Sequence, residues 1–203
     1  MHFRTFRHEG VTTATPIPMI ILGIDPGSNI TGFGVVRSEN GRETLLESGV
    51  IRAGAMTEAK ETPDHVLKLM RIHASVTELI DEFKPDLCAV EMPVYGNNPQ
   101  SMLKLGRAQA AAMLAALHRE VPVTEYTPKE VKKAVTGNGN ASKEQVRFMV
   151  ETMLDMRSGT VITMDASDAL AVALCHIHRG VTTSKATYKN WDSFARANPD
   201  RVK

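Results

Sequence analysis

The 203-residue sequence predicts an α/β domain: a mixed five-stranded sheet, three antiparallel strands followed by parallel strands, with helices on both faces. Three observations carry that prediction. Two strand-like runs flank a Glu39-Asn40-Gly41 turn, which reads as a hairpin. Beyond them, short apolar runs alternate with stretches of helical spacing. The composition, 42% hydrophobic and 23% charged, is that of a chain able to bury a core without disulfide staples.

The elements follow in order. Ile20–Asp25 is a continuous apolar run that ends in Asp-Pro-Gly, and its shortness and branching favour a buried strand. Thr31–Arg37 and Glu43–Arg52 are the second and third strands. Asp64–Phe83 places Val66, Leu69, Met70, His73, Val76, Leu79, Ile80 and Phe83 at helical spacing. Lys84-Pro85-Asp86 stops that helix, and Leu87–Met92 is a fourth strand. Gln100–Leu117 is helical, with Gly106 and Ala110 on one face, where small residues would let a neighbour approach closely. Val121–Glu125 is the fifth strand. Pro128–Val135, Ser142–Leu154 and Asp165–His178 are helices, and Ser142 with Gln145 has capping-box spacing. Crossovers between parallel strands should be right-handed.

Residues 1–18 and 181–203 are polar and read as tails around a single domain, 19–180; Trp191 and Phe194 argue that part of the second tail docks. Met19 is itself a possible start. The net charge is only +1, the C-terminal tail being basic and the middle acidic. No apolar run approaches the ~18 residues a membrane span needs. Cys88 and Cys175 lie inside apolar runs, and no signal-peptide pattern opens the chain. Together these features predict a cytoplasmic protein.

Four acids stand out. Asp25 ends Ile20-Ile21-Leu22-Gly23-Ile24, and Glu91 ends Leu87-Cys88-Ala89-Val90. Asp165 and Asp168 open an apolar helix and share one of its faces. Each has an ordinary alternative: Asp165 as a helix cap, Asp168 as a complement to the helix dipole, Asp25 as a turn residue. Glu91 fits a turn least well. A charge at the mouth of a buried element needs a partner, and no basic residue lies in these runs. A shared cation would serve all four. Four carboxylates without Cys make a hard oxygen site, suited to Mg²⁺ or Mn²⁺.

These residues resemble a family. Ile21-Leu22-Gly23-Ile24-Asp25-Pro26-Gly27 is similar to the opening strand of the RuvC Holliday junction resolvases. So are the run around Glu91 with Asn98-Pro99-Gln100-Ser101 and Leu103-Lys104-Leu105-Gly106, the run Val135 to Lys143, and Asp165-Ala166-Ser167-Asp168-Ala169-Leu170-Ala171. The resemblance spans Met19 to His178 and implies a ribonuclease-H-like fold. It also implies a crossover junction endodeoxyribonuclease: a homodimer that makes paired symmetric nicks in four-way DNA junctions during recombination and repair. Its implied cofactor is Mg²⁺, two ions per subunit with Mn²⁺ as substitute, and its implied partner is a RuvA–RuvB branch-migration complex. The family's catalytic, metal-binding acids map onto Asp25, Glu91, Asp165 and Asp168. Those acids are expected to stay ionised, with Asp25 bridging two ions ~3.5–4 Å apart. Where the family carries a base-stacking aromatic, this chain has Val94, with Tyr95 one later as the stacking candidate.

Grip on DNA needs basic residues. Lys129, Lys132, Lys133, Lys143 and Arg147 outnumber Glu130 and Glu144 around a Gly-Asn-Gly-Asn loop that leads into a capped helix. A helix start of this kind binds phosphate. With the resemblance, Lys132, Lys133 and Lys143 become candidate DNA-binding residues beside Tyr95. His176 lies about three turns from Asp165 and is expected as a structural histidine rather than a ligand. Asp25-Pro26-Gly27 with Thr31-Gly32-Phe33-Gly34 also resembles the phosphate hairpin of actin-like ATPases and sugar kinases. Those proteins close two such domains over ATP, and this chain is too short for that. A non-catalytic junction binder, or a nuclease for other branched DNA or RNA, are the remaining readings.

Overall fold

A computed structural model describes residues 18–54, 63–93, 98–156 and 162–181. The order is β1 (Met19–Asp25), β2 (Ile30–Glu39), β3 (Arg42–Arg52), α1 (Asp64–Phe83), β4 (Leu87–Glu91), α2 (Pro99–His118), β5 (Val123–Tyr126), α3 (Pro128–Thr136), α4 (Lys143–Met153) and α5 (Met164–Val181). The sheet runs β3-β2-β1-β4-β5. Strands β1, β2 and β3 are antiparallel neighbours, and β4 and β5 pair parallel, as the sequence predicts. Asn40 and Gly41, both at positive φ, make the β2–β3 turn.

Alternation along the strands separates two cores. Leu22, Ile24, Val35, Cys88 and Val90 face α1 and α2. Ile21, Val36 and Ala89 face α3, α4 and α5. On α1 the buried stripe is Ile72, Val76 and Ile80, each worth ~1.5–3 kcal/mol of transfer free energy. Met70, expected on that stripe, is 62% exposed, because the stripe is centred on Ile72. Both cysteines are free and buried.

Two further expectations are corrected. Gly106 has open space where a Cβ would stand, and Ala110 is exposed. α2 instead packs through Ala108, Ala111, Ala112, Ala115 and Ala116, a face that an alanine-rich repeat leaves undistinguished in sequence. Val121 does not begin β5. Its N–H closes the end of α2 on the Ala116 carbonyl, so the strand starts after Pro122. The expected tails lie almost wholly outside the described residues, as do Trp191 and Phe194. No helix among the described residues is long and apolar enough to cross a membrane.

Candidate active site

The site is built from two strand ends and one helix start. β1 and β4 run parallel with Ile24 opposite Val90, so Asp25 and Glu91 leave the same sheet edge one residue later. Alternation sends both toward the α5 face, after Ile21 and Gly23 on β1 and Ala89 on β4. Helix α5 crosses β1 and β2 over a lane of glycines. A Cβ on Gly23 would overlap the Ala169 carbonyl oxygen, and one on Gly32 would overlap that of Asp165. A Cβ on Gly34 would press into the Leu170 side chain. Gly32 is also the cross-strand partner of Asp25. The missing side chains let the start of α5, with Asp165 and Asp168, sit directly above the end of β1. Thr163 holds that start: its hydroxyl accepts the Ala166 N–H and its carbonyl the Ser167 N–H.

Asp25, Glu91 and Asp168 line one hollow of ≈ 230 Å³ together with Lys132 and Lys143. Asp165 does not line it, but its charge acts on Asp25 and Lys143. Burial, then the Asp168 charge, pushes the Asp25 carboxyl up to about 6. Burial, then the charges of Asp25 and Asp168, pushes Glu91 up to about 8. The expectation that the acids stay ionised concerns the ion-loaded site; with no divalent ion beside them, Asp25 and Glu91 hold protons more tightly than free carboxylates do.

No basic residue lies in the acids' own runs, as the sequence shows, but the fold brings one from another helix. The Lys143 ammonium donates to Asp168 Oδ2 at 2.6 Å. That hydrogen bond holds the ammonium pKa above its usual value, and the same charge is felt by Asp25, Asp165 and Glu91. One cation thus already serves four acids, from a helix 25 residues before Asp168. Among the described residues no three His, Cys, Asp or Glu groups converge tightly enough to form a finished metal site. The donors fit a hard divalent cation in chemistry and in charge. The Lys143 ammonium bonds Asp168 and reaches the other three acids through its charge, and the Lys132 charge acts on Glu91 as well.

The other candidates divide. Lys132, on α3, lines the hollow; Lys133 is exposed on the same helix and does not. Tyr95 and Val94 lie outside the described residues. His176 Nδ1 meets the Tyr126 hydroxyl at 2.7 Å, and burial lowers its pKa. The start of α3 is fixed by a reciprocal Thr127–Glu130 cap, and Glu130 is joined to Arg179 of α5 at 2.6 Å. Sequence reasoning missed Gln109. It is buried in the alanine run of α2, donating to Glu125 Oε1 at 2.6 Å and to the Glu91 carbonyl at 3.4 Å, so it ties the end of β4 to β5. A lone amide among alanines was the available signal.

Comparison with known proteins places these features in a family. The model described as crossover junction endodeoxyribonuclease RuvC matches residues 21–176. The crossover junction endodeoxyribonuclease RuvC of Salinibacter ruber is 55% identical over 184 residues, 91% of this chain and 99% of that protein. That of Christiangramia forsetii is 45% identical over 91% of this chain and 93% of its own length. Among solved structures, Thermus thermophilus RuvC in complex with a Holliday junction substrate superposes with a TM-score of 0.69 at 34% identity. That match covers 80% of this chain and 94% of that one.

Proposed function

The chain belongs to the RuvC family of crossover junction endodeoxyribonucleases, and on that premise we propose that Asp25, Glu91, Asp165 and Asp168 are its catalytic acids and hold divalent cations. The protein is an endonuclease of ribonuclease-H-like fold whose substrate is the four-way DNA junction. The observation that carries the assignment is that Asp25, Glu91 and Asp168 line one hollow where the ends of β1 and β4 meet the start of α5, and that burial, with the neighbouring carboxylates second, raises the pKa of Asp25 and Glu91.

Asp25, Glu91, Asp165 and Asp168 would hold the divalent ions, Mg²⁺ with Mn²⁺ as substitute, and the chemistry supplied there would be an activated water and neutralisation of charge on the phosphate. The chain's own residues do the rest. Asp25 and Glu91, fixed by paired strands, present carboxylates from a rigid edge. Asp165 and Asp168 approach from α5 over the glycine lane. Lys143 serves Asp168 when no stronger cation is present, and a phosphate oxygen over the hollow competes for the same ammonium. Lys132 lines the hollow and contributes a second positive charge to the same phosphate.

A homodimer follows from the reaction. Two symmetric nicks need two sites, and a two-fold interface supplies them. Leu114 and Leu117 of α2 are exposed and give a second copy an apolar surface to cover. Cooperation with a RuvA–RuvB machine and a stacking role for Tyr95 complete the reading.

The test is a cleavage gel with a mobile four-way junction, a linear duplex and an RNA–DNA hybrid, each in Mg²⁺ and in Ca²⁺. The native chain should cut only the junction and only in Mg²⁺. Asp25→Asn should bind the junction and leave it whole. Cutting by that variant would overturn the assignment of the acids.

A further inference from the structure

We propose that the hollow between the β1–β2 turn and the early turns of α1 and α2 is a second phosphate site, holding the backbone of a DNA arm on the sheet face opposite the acids. The inference rests on the junction-nuclease reading and extends it. The hollow measures ≈ 270 Å³, and Ser28, Asn29, His65, Lys68, Lys104 and Arg107 line it with Asp64. Three cations from two helices therefore converge on one space against a single carboxylate.

That carboxylate is already committed. Lys68 Nζ meets Asp64 Oδ2 at 2.8 Å and donates to Asn29 Oδ1 at 2.9 Å. Lys104 and Arg107, one turn apart on α2, are exposed and have no hydrogen-bond or ion-pair partner among the described residues. Two unpaired like charges on one hollow repel unless an anion joins them. The floor is built rather than loose. The Asn29 carbonyl accepts the Ala53 N–H at 2.9 Å, and the Thr31 hydroxyl donates to the Gly27 carbonyl at 2.9 Å. The Ser28 hydroxyl adds a donor suited to a phosphate oxygen.

The position fits a nucleic-acid backbone. Ser28 and Asn29 lie three and four residues beyond Asp25, on the same sheet edge. The acids face α5, whereas this hollow lies on the α1–α2 side. A DNA strand that crosses the edge meets both. Contacts of this kind position the duplex and read no sequence.

The experiment is fluorescence anisotropy of a labelled four-way junction and of a linear duplex in Ca²⁺, over a salt series, with the native chain and Lys104→Ala/Arg107→Ala. Both substitutions are at exposed positions, and unchanged thermal melts will show an intact fold. The double variant should bind both DNAs at least tenfold more weakly at low salt, with a slope of log K on log salt shallower by about two units. A double variant with native affinity and slope, beside a native chain that binds, would overturn this site alone. A native chain that binds no junction would overturn the functional reading, and this inference with it.

Discussion

Replacing Gly32 by alanine tests whether the glycine lane sets the active geometry. The added Cβ would overlap the Asp165 carbonyl oxygen and lie 2.6 Å from its carbonyl carbon. Carbon atoms in contact need ~3.5–4.0 Å, so the start of α5 must retreat by about 1 Å. The clash is with backbone, which no rotamer change relieves. Overpacking of this kind costs ~1–3 kcal/mol. The retreat carries Asp165 and Asp168 away from Asp25, and a displacement of ~1 Å at a reacting centre costs on the order of 100-fold in rate. The phosphate contacts proposed for Lys132 and Lys143 should survive. The assay pairs single-turnover junction cleavage in Mg²⁺ with anisotropy in Ca²⁺ and urea unfolding. Gly32→Ala should unfold at lower urea, bind the junction within a few-fold of native, and cut about two orders of magnitude more slowly. A variant that loses stability yet cuts at the native rate would show that α5 does not set the acids' positions.

Other outcomes follow from the same structure. Glu91 is held near 8 in the fold against 4.5 for the free group, so its ionised form opposes folding. That opposition is absent below pH 4.5, grows as pH rises, and is complete above about 8. In EDTA, Glu91→Gln should therefore raise the melting temperature most at alkaline pH, by a stabilisation of at most about 5 kcal/mol, and should gain less than the native chain from added Mg²⁺. A variant less stable than native at alkaline pH in EDTA would contradict this. Glu130 is held down to about 2 by the Thr127 cap and by Arg179. Its contribution is present above pH 4.5 and lost as pH falls toward 2, so Glu130→Gln should matter at neutral pH and vanish in acid; because Glu130 is 41% exposed, the effect should be small. Gly106→Ala, in open space on α2, should stabilise the fold by ~0.5–1 kcal/mol without slowing cleavage, checked by urea unfolding beside the cleavage gel.

Much of the fold was legible because its signals are local. The apolar runs before Asp25 and Glu91 are short and stopped by a charge, the first of them rich in isoleucine, and the Asn40-Gly41 turn admits few alternatives. The Ser142–Gln145 cap marked the start of α4 from side-chain chemistry alone. The acids were legible for the same reason: each breaks an apolar pattern. What was hidden is tertiary. Nothing near Asp168 in sequence announces Lys143, which arrives from another helix. The packing face of α2 was hidden because Gly106, Ala108, Ala110 and Ala111 are all small, and periodicity cannot rank them. The glycine lane was visible as Gly23, Gly32 and Gly34, but its purpose needs α5 laid across it. The raised carboxyls could not be read in advance, since burial and repulsion exist only once the strands are paired.

The four carboxylates at the ends of β1 and β4 and the start of α5 are proposed to gather around divalent cations. Binding of Mn²⁺ to the chain without DNA, followed by electron paramagnetic resonance, tests this most directly. The native protein should bind Mn²⁺, Mg²⁺ should displace it, and Asp25→Asn should lose most of the bound signal. Native protein that leaves Mn²⁺ free, or Asp25→Asn that binds it as the native chain does, would contradict the account.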